Sequence, residues 1–156
     1  MVRCFHYSLR YMTYRTNELE CELPPELKDK SMNIFTLHDD GPSEFSMVIS
    51  RVPLHEGQTL ADYTKLQVQE MQKKMPAFSL LSQSDKKVGG EPGAFLEFLW
   101  RAEGGIMHQR QVSFAPPGRK LVMIITGTCQ NRFSPKWEQA FESVIGSITL
   151  QEPVRS

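Results

Sequence analysis

The chain has 156 residues, and its 18 Lys and Arg are balanced by 18 Asp and Glu. That length suits one domain able to bury about two thirds of its unfolded surface, and the charge balance gives no electrostatic case for nucleic acid or an anionic membrane as partner. No apolar run reaches the ~18–20 residues of a spanning helix; the longest candidate is Leu121–Ile125, so direct membrane insertion is not expected.

Residues 1–12 mix Arg, His, Tyr and Cys without a clear period and carry no apolar stretch of signal-peptide length. They read either as a short arm or as a segment upstream of a working start at Met12, and the missing signal favours a cytoplasmic location. Cys4, Cys21 and Cys129 are widely spaced with no paired motif, which suits reduced thiols in a reducing compartment. Leu19–Leu23 alternates as an edge strand, and Pro24-Pro25 stops it. Ser31–Leu37 and Glu44–Arg51 then have strand length and β-branched or aromatic content, with Asp39-Asp40-Gly41-Pro42 as the turn between them. Alternation puts Met32, Ile34 and Thr36 on one side, with Ser46, Val48 and Ser50 as a like set on the returning arm. Phe35, Leu37, Phe45, Met47 and Ile49 fall on the other side and are expected to face the core.

Val52–Gln58 reads as a loop, after which Thr59 caps a helix with Asp62 in a capping-box position. Leu60, Ala61, Tyr63, Val68, Met71 and Met75 fall on its apolar stripe; Leu66 alone lies on the polar side. Pro76 ends the helix. A meander follows: Phe78–Ser82, a Gly89-Gly90-Glu91-Pro92 turn, Ala94–Arg101, a Glu103-Gly104-Gly105 turn, Ile106–Ala115, and Leu121–Ile125, apolar on both faces and so central. Ser134 caps the last helix with Pro135 at its first position, and Trp137, Ala140, Phe141, Val144 and Ile145 form its buried stripe. The expected fold is α+β, a single domain of mostly antiparallel sheet with two packed helices. Its expected span is residues 13–150, with 1–12 as the arm or misplaced start and 151–156 as a frayed tail.

Catalytic chemistry finds little footing. Three adjacent side chains such as His38-Asp39-Asp40 cannot all converge on one ion, so no metal is expected. The glycines at 89, 90 and 93 join two strands rather than a strand to a helix, which removes the helix dipole that holds a phosphate. No serine sits in a Gly-x-Ser-x-Gly elbow, and no Cys has an identifiable His partner. His108, in a strand, suits a hydrogen-bonded structural role, and Glu97, between Leu96 and Phe98, a solvent-facing or paired carboxylate. The eight methionines are more suggestive, because thioether side chains adapt to varied apolar surfaces. Met32, Met47, Met71 and Met75 lie in or near the hairpin and first helix; core filling is the plainer reading for Met71 and Met75.

Several motifs carry a family resemblance. Ser31-Met32-Asn33-Ile34-Phe35, Gly41-Pro42, Val48-Ile49-Ser50-Arg51, Leu60-Ala61-Asp62-Tyr63, Arg110-Gln111-Val112 and Pro135-Lys136-Trp137-Glu138-Gln139-Ala140 stand in one order between Tyr14 and Ile148. Together they resemble the effector-associated (Eag) chaperones of bacterial type VI secretion, within the DcrB-like group. The resemblance implies a dimeric, cytoplasmic chaperone; no ATP site is visible in the sequence, so ATP-independent holding without a cofactor is expected. Its partner would be the amino-terminal hydrophobic helices of a PAAR- or Rhs-type effector, shielded until export. By position, Met32, Ile34 and Val48 would line the groove, with Ser46 and Ser50 as polar neighbours. Met32 stands where the family carries a β-branched residue. Two other readings remain open: a small ligand-binding or enzymatic α+β domain with a pocket between sheet and helix, and a lipoprotein-like DcrB member, for which no lipobox cysteine is present.

Overall fold

Residues 10–152 are described by the structure, a computed structural model of the chain. Two compact units divide after Lys30. In the first, β1 (Met12–Arg15) pairs antiparallel with β2 (Glu20–Leu23), placing Met12 opposite Leu23 and Arg15 opposite Glu20. An Arg15–Glu20 ion pair and a hydrogen bond from the Thr13 hydroxyl to Glu22 tie the exposed side of this hairpin. Met12, given to the arm by the sequence reading, therefore belongs to a strand; the rest of that expectation falls mainly on residues 1–9, outside the described part.

The second unit holds both helices and a six-stranded antiparallel sheet. Its strands are β3 (Asn33–Thr36), β4 (Phe45–Pro53), β5 (Ser79–Asp85), β6 (Gly93–Ala102), β7 (Gly105–Phe114) and β8 (Leu121–Gln130), in the order β3-β4-β8-β7-β6-β5. The fold is thus α+β, with a mostly antiparallel sheet and two helices. β8 is central, as its two apolar faces demand: Val122 and Ile124 are buried on one side, Ile125 and Cys129 on the other. β4 runs two residues past Arg51, because Val52 and Pro53 still pair with Val122 and Leu121; the expected loop therefore begins later.

Helix α2 (Pro135–Gly146) covers one face of the sheet. Phe141 and Ile145 bury against Val112, Ile125 and Phe133, and Phe45 stacks on Trp137 at 4.9 Å. The close approach needs a glycine in β8: a Cβ on Gly127 would stand 2.8 Å from a ring carbon of Phe141.

Helix α1 (Leu60–Lys74) lies on the opposite face. Its start is the capping box expected from the sequence, with Thr59 Oγ1 accepting from the Asp62 amide (3.1 Å) and Asp62 Oδ2 accepting from the Thr59 amide (3.0 Å). The Thr59 amide, and after it the Thr59 hydroxyl, hold the Asp62 carboxyl below its ordinary pKa. Thr59→Ala removes one of them and is expected to cost about 1 kcal/mol, visible as a fall of about 2–4 °C in Tm; an unchanged Tm contradicts that share of α1's anchoring. The inward side of α1 differs from its expected stripe. Thr64 is its buried residue and Gln67 is half-buried, whereas Ala61 is exposed.

Candidate functional site

The face shared with α1 is covered unevenly. Pairing registers place Ile34 opposite Val48, Val48 opposite Thr126, and Thr126 opposite Gln111, one rung running in from the β3 edge. At its inner end Gln111 Nε2 donates to Gln67 Oε1 of α1 (2.9 Å), so α1 packs over β7 and β6. The adjacent rung sets Ser46 beside Thr128 and Thr128 beside Gln109. Gln109 Nε2 donates to Thr128 Oγ1 (2.8 Å), and its Oε1 accepts from the Trp100 indole (2.7 Å). These amides are committed to internal bonds, which leaves a satisfied polar floor rather than a set of reactive groups.

Toward β3 the same face lies open. Ile34 is 65% and Met32 57% exposed, while Val48, Ser46 and Ser50 are half-buried. The structure brings Ile34 and Val48 into direct register, with Ser46 and Ser50 flanking Val48 along β4; Met32 precedes β3 on the Ile34 side. A side wall comes from α1. Val52, Pro53, Tyr63, Leu66, Gln67 and Glu70 line a surface cavity of about 350 Å³ between β4 and the helix. Leu66, odd on the polar side of its helix, is thereby an exposed apolar residue on that wall. Burial lifts the Tyr63 hydroxyl pKa above its usual range.

Sequence reasoning missed Val52, Gln67 and Thr126 at this site and gave Gln111 no role. The alternating Gln109 and Gln111, on one face of a strand whose other face ends in Val112 and Phe114, were the available signal. One face assignment needs correction. Phe45, Met47 and Ile49 do pack on the core, but Phe35 is 50% and Leu37 41% exposed. Phe35 points to the α2 side, opposite Met47, yet it sits on the edge strand where no core residue covers it. Both faces of β3 therefore offer apolar side chains to solvent, an uncommon concentration for an edge.

The α2 face carries the titratable cluster. Arg110 Nε stands 2.5 Å from Glu97 Oε2, and the guanidinium also reaches Glu138 (3.2 Å) and Glu142 (3.7 Å) on α2. Glu97 is thus a paired carboxylate. His108 accepts a hydrogen bond at Nδ1 from the Phe133 amide (2.9 Å), and its Nε2 lies 3.5 Å from Glu97 Oε2. The histidine is thus hydrogen-bonded within the fold, as its strand position suggested. Burial depresses its pKa below 6.5, outweighing the nearby Glu97; Arg110 and Arg132 act in the same direction as burial. Because the folded pKa lies below the unfolded one, the stabilising neutral state is fully present above pH 6.5 and is lost as pH falls through the folded value. His108→Asn, whose Oδ1 can accept the Phe133 amide, is expected to flatten the fall of Tm between pH 7 and about 5. An equal fall in both proteins contradicts the assignment.

Among the described residues, no three His, Cys, Asp or Glu side chains are placed to hold a metal ion. Cys21 and Cys129 are free thiols, and burial raises the Cys129 pKa; Cys4 lies outside the described residues. No helix is long and apolar enough to cross a membrane among the described residues. A further cavity of about 880 Å³, between α1 and strands β5 and β6, has a mixed lining, with Leu60 and Val68 beside Lys65, Gln69, Gln83 and Asp85.

The fold is an α+β one: an antiparallel six-stranded sheet with one helix over each face and the β3 half of one face left open. The DcrB family model matches residues 18–147. The protein named Effector EagT6 of Pseudomonas aeruginosa is 32% identical over 135 residues, covering 85% of this chain and 94% of that protein. The chain therefore belongs to the DcrB family, as a DcrB-like Eag member. The crystal structure of PA94 from Pseudomonas aeruginosa superposes with a TM-score of 0.78 at 30% identity, covering 92% of this chain and 99% of that one. LpqN of Mycobacterium tuberculosis, a protein involved in cell envelope biogenesis, shares the fold alone: its TM-score is 0.51 at 12% identity, over 78% of this chain and 85% of that one.

Proposed function

We propose that this chain is a chaperone for a type VI secretion effector, holding the effector's amino-terminal apolar helices on the open half of the α1 face. The observation that carries the reading is the uncovered apolar strip of Met32, Ile34 and Val48 beside the α1 wall, in a chain of the Eag type. An amphipathic or wholly apolar helix laid there would bury Ile34 and Val48 and meet Leu66 from the side. The Ser46 and Ser50 hydroxyls would meet polar or small positions on it. Helices destined for a target membrane aggregate in water or insert in the wrong bilayer; covering their apolar surface removes both routes. Binding energy alone drives the holding, with no nucleotide hydrolysis, and the reaction is not enzymatic.

The chaperone acts in the cytoplasm as a homodimer, whose second subunit supplies another such face and encloses more of the client. The exposed apolar residues on both sides of β3 support this arrangement. Light scattering at micromolar concentration tests it, and a mass near 17.9 kDa contradicts it. The holding function is tested by co-expression with an effector fragment carrying its amino-terminal apolar helices. The fragment should stay soluble and co-purify; a fragment that precipitates equally with and without this chain contradicts the reading.

A further inference from the structure

The sheet face opposite the proposed client strip contains a second, separate cavity. It opens on the α2 side, beyond the end of that helix, where Ile49 of β4, Phe114 of β7, and Met123 and Ile125 of β8 form a floor. Ile148 and Leu150, in the segment after α2, form one wall. The volume is about 320 Å³, at the lower end of the roughly 300–1,000 Å³ typical of small-molecule pockets.

Two arginines, Arg51 and Arg119, line the same cavity, and both residues are exposed. Arg51 Nη1 makes only long hydrogen bonds, to the Ser31 carbonyl and Asn33 Oδ1, each 3.4 Å. Neither arginine has a carboxylate partner among the described residues, whereas Arg15, Lys74, Lys86 and Arg110 all do. An apolar floor with two uncompensated cations complements a molecule with an apolar tail and an anionic head. The small volume limits it to one chain, and the planar fork of an arginine matches a carboxylate in two-point hydrogen bonding.

We propose that this cavity binds a single-chain acyl carboxylate, with the tail over Ile49, Phe114, Met123 and Ile125 and the head between Arg51 and Arg119. This goes beyond client holding and uses the other face of the sheet. The probe is decanoate, titrated into the full chain by calorimetry below its micelle concentration. One saturable site per chain is expected, with no matching site for decyltrimethylammonium, which has the same tail and the opposite charge. Arg51→Ala with Arg119→Ala should weaken decanoate at least about tenfold without changing Tm, because both side chains are exposed. Met123→Trp should fill the cavity and abolish binding; if that variant fails to fold, the arginine pair decides alone. Decanoate binding should persist when Ile34 and Val48 are replaced by Asp, which separates this site from the client strip. The proposal is overturned by the absence of a saturable site at millimolar decanoate. Equal affinity in the arginine variant, or loss of binding in the Ile34 and Val48 variant, overturns it equally.

Discussion

Replacing Ile34 and Val48 together by Asp is expected to abolish holding of an apolar client helix while leaving the domain folded. Ile34 is two-thirds exposed and Val48 half-buried, so the new carboxylates can stay hydrated in the free protein. In the complex both would be covered. Losing the burial of an Ile and a Val removes about 1.5–3 kcal/mol each, and desolvating the introduced groups adds more. The affinity should fall by at least about a hundredfold, since each 1.4 kcal/mol is tenfold. Tm should move by no more than a few degrees. A variant that unfolds shows that this face is core; a folded variant that still holds its client puts the groove elsewhere.

The largest effect on stability is expected at Arg110. Its guanidinium is the cation facing Glu97 across the β6–β7 pair and bridges to Glu138 and Glu142 on α2, with both the Arg110 and Glu97 side chains largely buried. Arg110→Met keeps much of the apolar stem but strands the Glu97 carboxylate. Removing one partner of a buried pair costs about 3–5 kcal/mol, so Tm should fall by roughly 10 °C or more. Adding Glu97→Leu to Arg110→Met should restore most of that loss, since the stranded charge, rather than the missing attraction, dominates it. Should the double variant melt as low as the single one, the penalty lies in lost packing against Phe95 and Phe133, over whose rings the guanidinium sits at 5.6 Å. Client holding should survive wherever the variant remains folded, because the cluster lies on the opposite face.

Much of the architecture was legible because punctuation and period agreed. Thr59 with Asp62, Ser134 with Pro135, and the glycine-rich turns at 89–93 and 103–105 bound elements whose apolar spacing already matched helix or strand. That Ile34 and Val48 share a face also followed from alternation, whereas their direct pairing is a matter of register. What alternation cannot show is which side of an edge strand finds a cover. Phe35 and Leu37 share the α2 side and still stay exposed, since sheet order is a tertiary fact. The Glu97–Arg110 pair was hidden for the same reason: 13 positions separate the two residues, and only the β6–β7 register sets them opposite each other. Leu66 stood out as an apolar residue on a polar face, but its meaning as part of a wall needed the position of α1 over the sheet.

The client's location on the chain is tested most directly by photo-crosslinking. A benzophenone amino acid placed at Ile34, and separately at Ser82 on the far edge strand β5, is irradiated in the co-purified complex of this chain with an effector's amino-terminal helices. A covalent adduct to the apolar helices is expected from position 34 and none from position 82. Adducts from position 82 with none from position 34, or no complex to irradiate, would contradict this placement of the client.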